Sequence, residues 1–248
     1  MSKKPQRGAP SNKALRIWGR HAVIAALTNE ERTVKKMWAT REALATIDVP
    51  ASLPITPSSP AEMAMMVAPG SPHQGLVIEA EPLPERWLGD FLGSAQGDRR
   101  PIILLDQVTD PHNIGAILRS AAAFDAVAIV TQDRHSPPES GTIARAASGA
   151  LEIVPWVRVV NLARALDDLA EGGYWRIGLS GDARDTLSGA LATVRPALVL
   201  GAEGAGLRHN TAEHCDQLAR LPISAAMESL NVSNAAAIAL YAAAQARG

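Results

Sequence analysis

The 248-residue chain holds a single cysteine, Cys215, so an internal disulfide and a cysteine-built zinc site are both excluded. That usage points to a reducing, cytoplasmic setting. No stretch approaches the roughly 20 apolar residues that a membrane-spanning helix needs. The N-terminus has lysines and prolines but no apolar core, so it does not read as a secretory signal. The six histidines are scattered, without an HExxH pair, and no metal site is expected. A Gly-x-Ser-x-Gly elbow is also missing, which removes the serine hydrolases. No internal repeat is visible.

What is present is an ordinary globular composition, 47% apolar and 20% charged, with a net charge of −1. Such a balance argues against wholesale electrostatic coating of nucleic acid. The charge is uneven, however. Lys3, Lys4, Arg7, Lys13, Arg16 and Arg20 fall within the first twenty residues without one acid. A basic arm of this kind gains affinity from counterion release at phosphates, although a solvated tail explains it equally simply. Residues 1–15 are expected to form this tail.

Two modules follow. In the first, residues 16–84, helical spacing covers Trp18 to Thr28 with Asn29 at the C-cap. Short strands are expected at Val34 to Ala39 and Gln74 to Glu79, and a small helix at Met63 to Val67. Glu81-Pro82-Leu83-Pro84 and, after a weak helix, Gly97-Asp98-Arg99-Arg100-Pro101 are rich in proline and charge, and a linker is expected here at 85–100. From residue 101 to the end the pattern sharpens. Ile102 to Leu105 is a short apolar run, the mark of a buried parallel strand. Further strands are expected at 127–130, 154–160, 174–179, 198–200 and 218–223, and helices at 113–124, 162–170 and 233–246. This alternation implies an α/β fold whose parallel sheet is covered on both faces.

Three polar clusters interrupt the apolar pattern. The first is Leu105-Asp106-Gln107-Val108-Thr109-Asp110-Pro111-His112-Asn113-Ile114-Gly115-Ala116-Ile117-Leu118-Arg119, where a strand hands over to a helix. Either Asp110 or Asn113 suits the N-cap. Arg119, flanked by Ile117, Leu118 and alanines, is not explained by capping. An arginine in such company pairs with an acid or grips a phosphate or carboxylate. The second cluster, Leu200-Gly201-Ala202-Glu203-Gly204-Ala205-Gly206-Leu207, places glycines after a buried strand, where backbone can approach a ligand closely. Its order is neither the dinucleotide fingerprint nor a P-loop. The third is Glu228-Ser229-Leu230-Asn231-Val232-Ser233-Asn234, ahead of an alanine-rich helix. Ser233 is explained as a cap, whereas Ser229 and Asn231 are surplus to one.

Together, in this order, the clusters resemble the SpoU (TrmH) family of ribose 2′-O-methyltransferases. Its motif Asp-x-x-Asn-x-Gly-Ala-x-x-Arg is matched by Asp110, Asn113, Gly115, Ala116 and Arg119. Its motif Leu-Gly-x-Glu-x-x-Gly-Leu is matched by Leu200, Gly201, Glu203, Gly206 and Leu207, and Ser-Leu-Asn-Val-Ser stands intact at Ser229 to Ser233. The match runs from about Arg100 to the C-terminus. Gly19-Arg20-His21-Ala22-Val23 and His73-Gln74-Gly75 resemble the family's ribosomal-protein-like RNA-binding domain, in the manner of the bacterial 23S rRNA guanosine methyltransferases. The chain departs from the pattern at Asp125, where glycine is usual, at Ser224-Ala225-Ala226, which lacks a glycine, and at Asn234.

The resemblance implies a C-terminal trefoil knot and S-adenosylmethionine as cofactor, held by Leu179, Gly181, Leu200, Gly201, Gly204, Leu221, Ile223 and Leu230. It implies a homodimer through the knot, bringing a partner's first motif toward the cofactor, and no metal. Arg119 would grip phosphate and orient the nucleophile, with proton abstraction by Arg119 as second choice. Asn113, Glu203, Ser229 and Asn231 would position the ribose and the arginine. The implied partner is RNA, 23S rRNA or a large-subunit assembly intermediate, in the cytoplasm and without a membrane. The alternatives are ribose methylation of tRNA and an RNA-binding or antibiotic-protection protein with little turnover, a small-molecule oxidoreductase being remote.

Overall fold

The structure, a computed structural model, describes residues 14–93, 97–192, 194–224 and 226–247. The expected basic tail thus lies almost wholly outside the described residues. The first sheet gathers β1 (Leu15–Trp18), β2 (Val34–Ala39), β3 (Ile55–Pro57) and β4 (Leu76–Ala80) in the order β1-β4-β2-β3. Helices α1 (Arg20–Thr28), α2 (Arg41–Leu44) and α3 (Pro60–Ala64) lie between the strands. The expected helix at Trp18 begins two residues later, because Leu15 to Trp18 pair with β4 instead. Gly19, at φ +87°, makes the turn between strand and helix. The Gln74 carboxamide oxygen accepts from the Arg20 amide at 2.9 Å, answering one open donor of the new helix.

The second sheet has seven strands, all paired in parallel, in the order β7-β6-β5-β10-β8-β11-β9. They are β5 (Ile102–Leu105), β6 (Ile129–Gln132), β7 (Trp156–Val159), β8 (Trp175–Leu179), β9 (Asp185–Thr186), β10 (Pro196–Leu200) and β11 (Gln217–Arg220). Around them lie α4 (Pro111–Ala123), α5 (Gly141–Ala147), α6 (Leu162–Glu171), α7 (Leu187–Ala190), α8 (His209–Glu213) and α9 (Val232–Arg247). Every residue of β5 and β10 is buried, as apolar central strands covered on both faces require. Asp110 is the N-cap of α4, accepting from the His112 amide at 2.9 Å, and Pro111 takes the first helical position. The alanine-rich α9 buries Val232, Ala236, Ala239, Leu240 and Ala243, a stripe at spacing four, three, one and three. Its small side chains allow a close approach to α4 and β10. Asp125, the departure from the family's glycine, sits at φ +57°, which accounts for the glycine preference there. The Arg247 guanidinium reaches its carboxylate at 3.4 Å.

The stretch 85–93 lies along the second sheet rather than in the open. Arg86 bridges to Val157, and Leu88, Phe91 and Leu92 join the apolar layer of Ile102, Leu104, Val130, Leu166 and Leu169.

Candidate active site

In a parallel sheet the ligand-binding crevice lies beyond the C-terminal ends of strands that neighbour each other out of sequence order. Here β5, β10 and β8 are such neighbours. At their ends the loops 179–182, 200–207 and 221–230 converge on one cavity of about 800 Å³. All eight residues expected to hold a cofactor, Leu179, Gly181, Leu200, Gly201, Gly204, Leu221, Ile223 and Leu230, line it. Glu203 and Ser229 line it too, both exposed at its wall.

The glycine loop is a closed turn. The Gly206 amide donates to the Ala202 carbonyl at 2.9 Å, and the two residues form a bridge. Gly201 is required there, because a Cβ on it would stand 2.0 Å from the Gly206 carbonyl carbon and 2.3 Å from the Leu207 nitrogen. At Gly181, Gly204 and Gly206 nothing stands within 4 Å of a notional Cβ, so main chain is laid bare to an incoming ligand.

Asn231 organises the third motif. Its side-chain oxygen accepts from the Ser233 amide at 2.8 Å and hydroxyl at 2.6 Å, starting α9, while its amide nitrogen reaches Glu203 at 3.5 Å. The cap expected at Ser233 is thus supplied by Asn231, one residue before the helix begins, and the same side chain ties the second motif to the third.

Arg119 and Asn113 stand elsewhere. Both are on α4, and neither lines the cavity. Arg119, although flanked by apolar residues, projects outward and is exposed, with no ion pair to any described residue. A six-residue separation along a helix is about 9 Å of rise and 600° of rotation, which leaves Asn113 half-buried near the start of α4 and Arg119 near its solvent side.

A residue of the first cluster to which the sequence assigned no role braces the cavity. Asp106, directly after β5, is fully buried. Its carboxylate accepts from the Arg208 Nε at 2.7 Å and the Arg208 amide at 3.1 Å, and Arg208 also donates to the Gln132 side chain at 2.8 Å. Arg208 ends the glycine loop and precedes α8. A buried carboxylate needs a cation or several donors, so an aspartate closing an all-apolar strand was the available signal. Asp106→Asn keeps the shape but weakens the fork. It should raise the Kd for S-adenosylmethionine about tenfold, the effect of losing a charge-assisted hydrogen bond of roughly 1.5 kcal/mol. Isothermal titration checks it; an unchanged Kd would show that the loop stands without this brace.

Cys215 packs beside Gly178 and Leu207, where burial pushes its thiol up to about 12. It is a packing residue, not a nucleophile. Among the described residues no helix is long and apolar enough to cross a membrane, and no cluster of acids, histidines and cysteine is arranged to hold a metal.

A parallel sheet with a glycine-loop cavity at its switch point is the arrangement in which α/β proteins bind a ligand. The model of the SpoU rRNA Methylase family matches residues 100–241, and that of an RNA 2′-O ribose methyltransferase substrate-binding domain matches residues 16–86. The chain belongs to the SpoU rRNA methylase family. It is 42% identical over 183 residues to the 23S rRNA (guanosine-2′-O-)-methyltransferase RlmB of Vibrio parahaemolyticus, covering 73% of each chain. To the enzyme of the same name from Pseudomonas aeruginosa it is 36% identical over 237 residues, 91% of this chain and 94% of that one. In fold it is similar to the SpoU methyltransferase AviRb of Streptomyces viridochromogenes, crystallised with its cofactor AdoMet. The TM-score is 0.77 at 22% identity, over 94% of this chain and 89% of that one.

The cavity suits S-adenosylmethionine, the family's cofactor, on its own chemistry. Leu179, Leu200, Leu221, Ile223 and Leu230 offer apolar surface, and the glycine loops offer main-chain donors and acceptors. Asp182, Glu203 and Glu228 stand against the single cation Arg220, a negative balance suited to a sulfonium.

Proposed function

We propose that this protein methylates the 2′-hydroxyl of a guanosine ribose in 23S rRNA, in the cytoplasm, as a homodimer. The observation that carries this reading is the convergence of the three motif loops on one cofactor-sized cavity, joined to a substrate-binding module. Relatives of 36–42% identity that bear this activity in their names supply the substrate.

When bound, S-adenosylmethionine supplies an electrophilic methyl group. The protein's own part is to hold the ribose oxygen in line with that carbon, and positioning accounts for much of the acceleration. Glu203 and Ser229 at the cavity wall are placed to bind the ribose, and Asn231 holds Glu203. Arg119 grips the adjoining phosphate with its forked guanidinium. Because Arg119 and Asn113 lie outside their own chain's cavity, the reading calls for a second copy whose α4 brings them to it. The expected knot through 179–230 belongs to the same proposal, supported by the three loops meeting at one place.

The substrate-binding module has a groove of about 700 Å³ lined by Arg20, Thr40, Thr46, His73, Gln74 and Gly75, among others. Its hydroxyls, amides and cation suit a phosphate backbone. The basic arm, of which residues 1–13 lie outside the described residues, would add phosphate contacts.

The test is incubation with radiolabelled S-adenosylmethionine and 23S rRNA from a strain lacking the corresponding methylation. Label in that RNA, resistant to alkali at one guanosine, is the expected result. Label in tRNA alone would make the alternative substrate correct. Cofactor binding without label in free RNA would point to an assembling large subunit.

A further inference from the structure

Arg32 lies between α1 and β2 and was not among the motifs. Its side chain is fully buried, and it carries no part of the cofactor cavity. Through Nε and Nη2 it donates to both oxygens of Glu152 at 3.1 and 2.6 Å. Through Nη1 it donates to Glu139 at 2.6 Å and to the Glu81 carbonyl at 2.8 Å. Glu139 and Glu152 belong to the methyltransferase domain, flanking α5, so the guanidinium crosses from one domain to the other. Both acids are saturated around it. Asn29 donates to Glu152 at 2.8 Å, and the Leu83 amide to Glu139 at 3.0 Å. Burial holds the Glu139 carboxyl above the usual range, with Arg32 pulling the other way.

Beside this fork the two surfaces touch closely at single points, although a cavity of about 870 Å³ lined by Leu15, Trp18, Glu139, Gly141 and Glu152 runs along the same seam. A Cβ on Gly141, the first residue of α5, would stand 1.9 Å from the Trp18 ring and 2.1 Å from the Arg16 carbonyl oxygen of β1. One on Gly149 would stand 3.1 Å from Ala25 of α1. Ile17, Val23 and Ala26 share one apolar cluster with Ile143, Ala144, Ala147 and Leu151. Edge strand β1 is thereby covered by α5. Apolar contact alone tolerates sliding, because it is non-directional. A guanidinium bound to two carboxylates and a carbonyl does not, since its planar fork admits one orientation.

We infer that Arg32 is a positioning residue that locks the substrate-binding domain to the methyltransferase domain in a single register, so that RNA gripped by residues 16–86 is presented at a set distance from the cofactor cavity. The inference rests on the reading of that module as the RNA-gripping one. The distance from gripped nucleotide to methylated ribose then becomes a constant of the enzyme, and selects among guanosines that the cavity alone cannot tell apart.

Removing one partner of a buried charge network leaves the others stranded, so Arg32→Met alone endangers folding. The neutral combination Arg32→Met, Glu139→Gln and Glu152→Gln avoids stranded charge and is the decisive variant. Spin labels at Met65→Cys and Val160→Cys, one exposed residue on each domain, in a Cys215→Ala background, report the interdomain distance. The expected result is a narrow distribution in the parent and a broad one in the neutral variant. The KM for 23S rRNA should rise about tenfold, the effect of roughly 1.4 kcal/mol. Activity on a stem-loop too short to reach both domains, and S-adenosylmethionine affinity, should not change. A parent-like distribution in the folded neutral variant overturns the lock and leaves the RNA-gripping role of residues 16–86 intact. A broad distribution with unchanged KM overturns the inference and that role together.

Discussion

Arg119→Ala should lower methyl transfer about a thousandfold, the scale on which removal of a key transition-state donor acts, while the Kd for S-adenosylmethionine changes less than about twofold. Arg119 is exposed and unpaired among the described residues, and it does not line the cofactor cavity. Its removal therefore costs the fold little and leaves the cavity walls untouched. What is lost is the fork that holds phosphate and aligns the ribose oxygen. Arg119→Lys keeps the charge but not the paired geometry, and should recover only a small part of the rate. Single-turnover kinetics with saturating cofactor, alongside equilibrium titration, separates the two effects. A variant that retained turnover, or lost cofactor affinity, would remove Arg119 from the role proposed for it.

Gly201→Ala should weaken cofactor binding by about 10- to 100-fold, corresponding to the roughly 1–3 kcal/mol that overpacking costs. All three atoms nearest the added methyl are backbone, at 2.0, 2.1 and 2.3 Å, so no rotamer change relieves the clash. The turn must open at the Ala202–Gly206 bridge, and its far end cannot follow because Arg208 is held by buried Asp106. The distortion falls on residues 202–206, which form one wall of the cavity. Titration with S-adenosylhomocysteine measures it, with thermal melting as the control for folding. Unchanged affinity in a variant of normal melting temperature would place the cofactor somewhere other than this loop.

The elements most legible in the linear pattern were those with one structural demand on them. Strands β2 and β5 fall at the expected residues, because a short apolar or alternating run between polar breaks has few other solutions. The strand-to-turn sequence at Leu200–Gly201 was legible for the same reason, whereas the pattern left the cap of α4 open between Asp110 and Asn113 and placed that of α9 on Ser233, where the structure uses Asn231. Less visible were β1, which continues directly into a helical pattern, and α5, a seven-residue helix too short to show a period. The stretch 85–93 read only as a weak helix within the linker region, because Leu88, Phe91 and Leu92 take their apolar partners from distant strands.

By itself, then, the sequence determined the parallel α/β class and the three motifs that carry the family, since each depends on local residue spacing and main-chain freedom. Only the tertiary structure decided which distant residues brace one another. Asp106 meets Arg208 across 102 positions, and Arg32 meets Glu139 and Glu152 across 107 and 120. It also decided that Arg119 and Asn113 sit apart from their own chain's cavity. The reason is physical. A buried charge is stable only beside its partner, and the partner is chosen by the order in which strands enter the sheet, which no local spacing encodes.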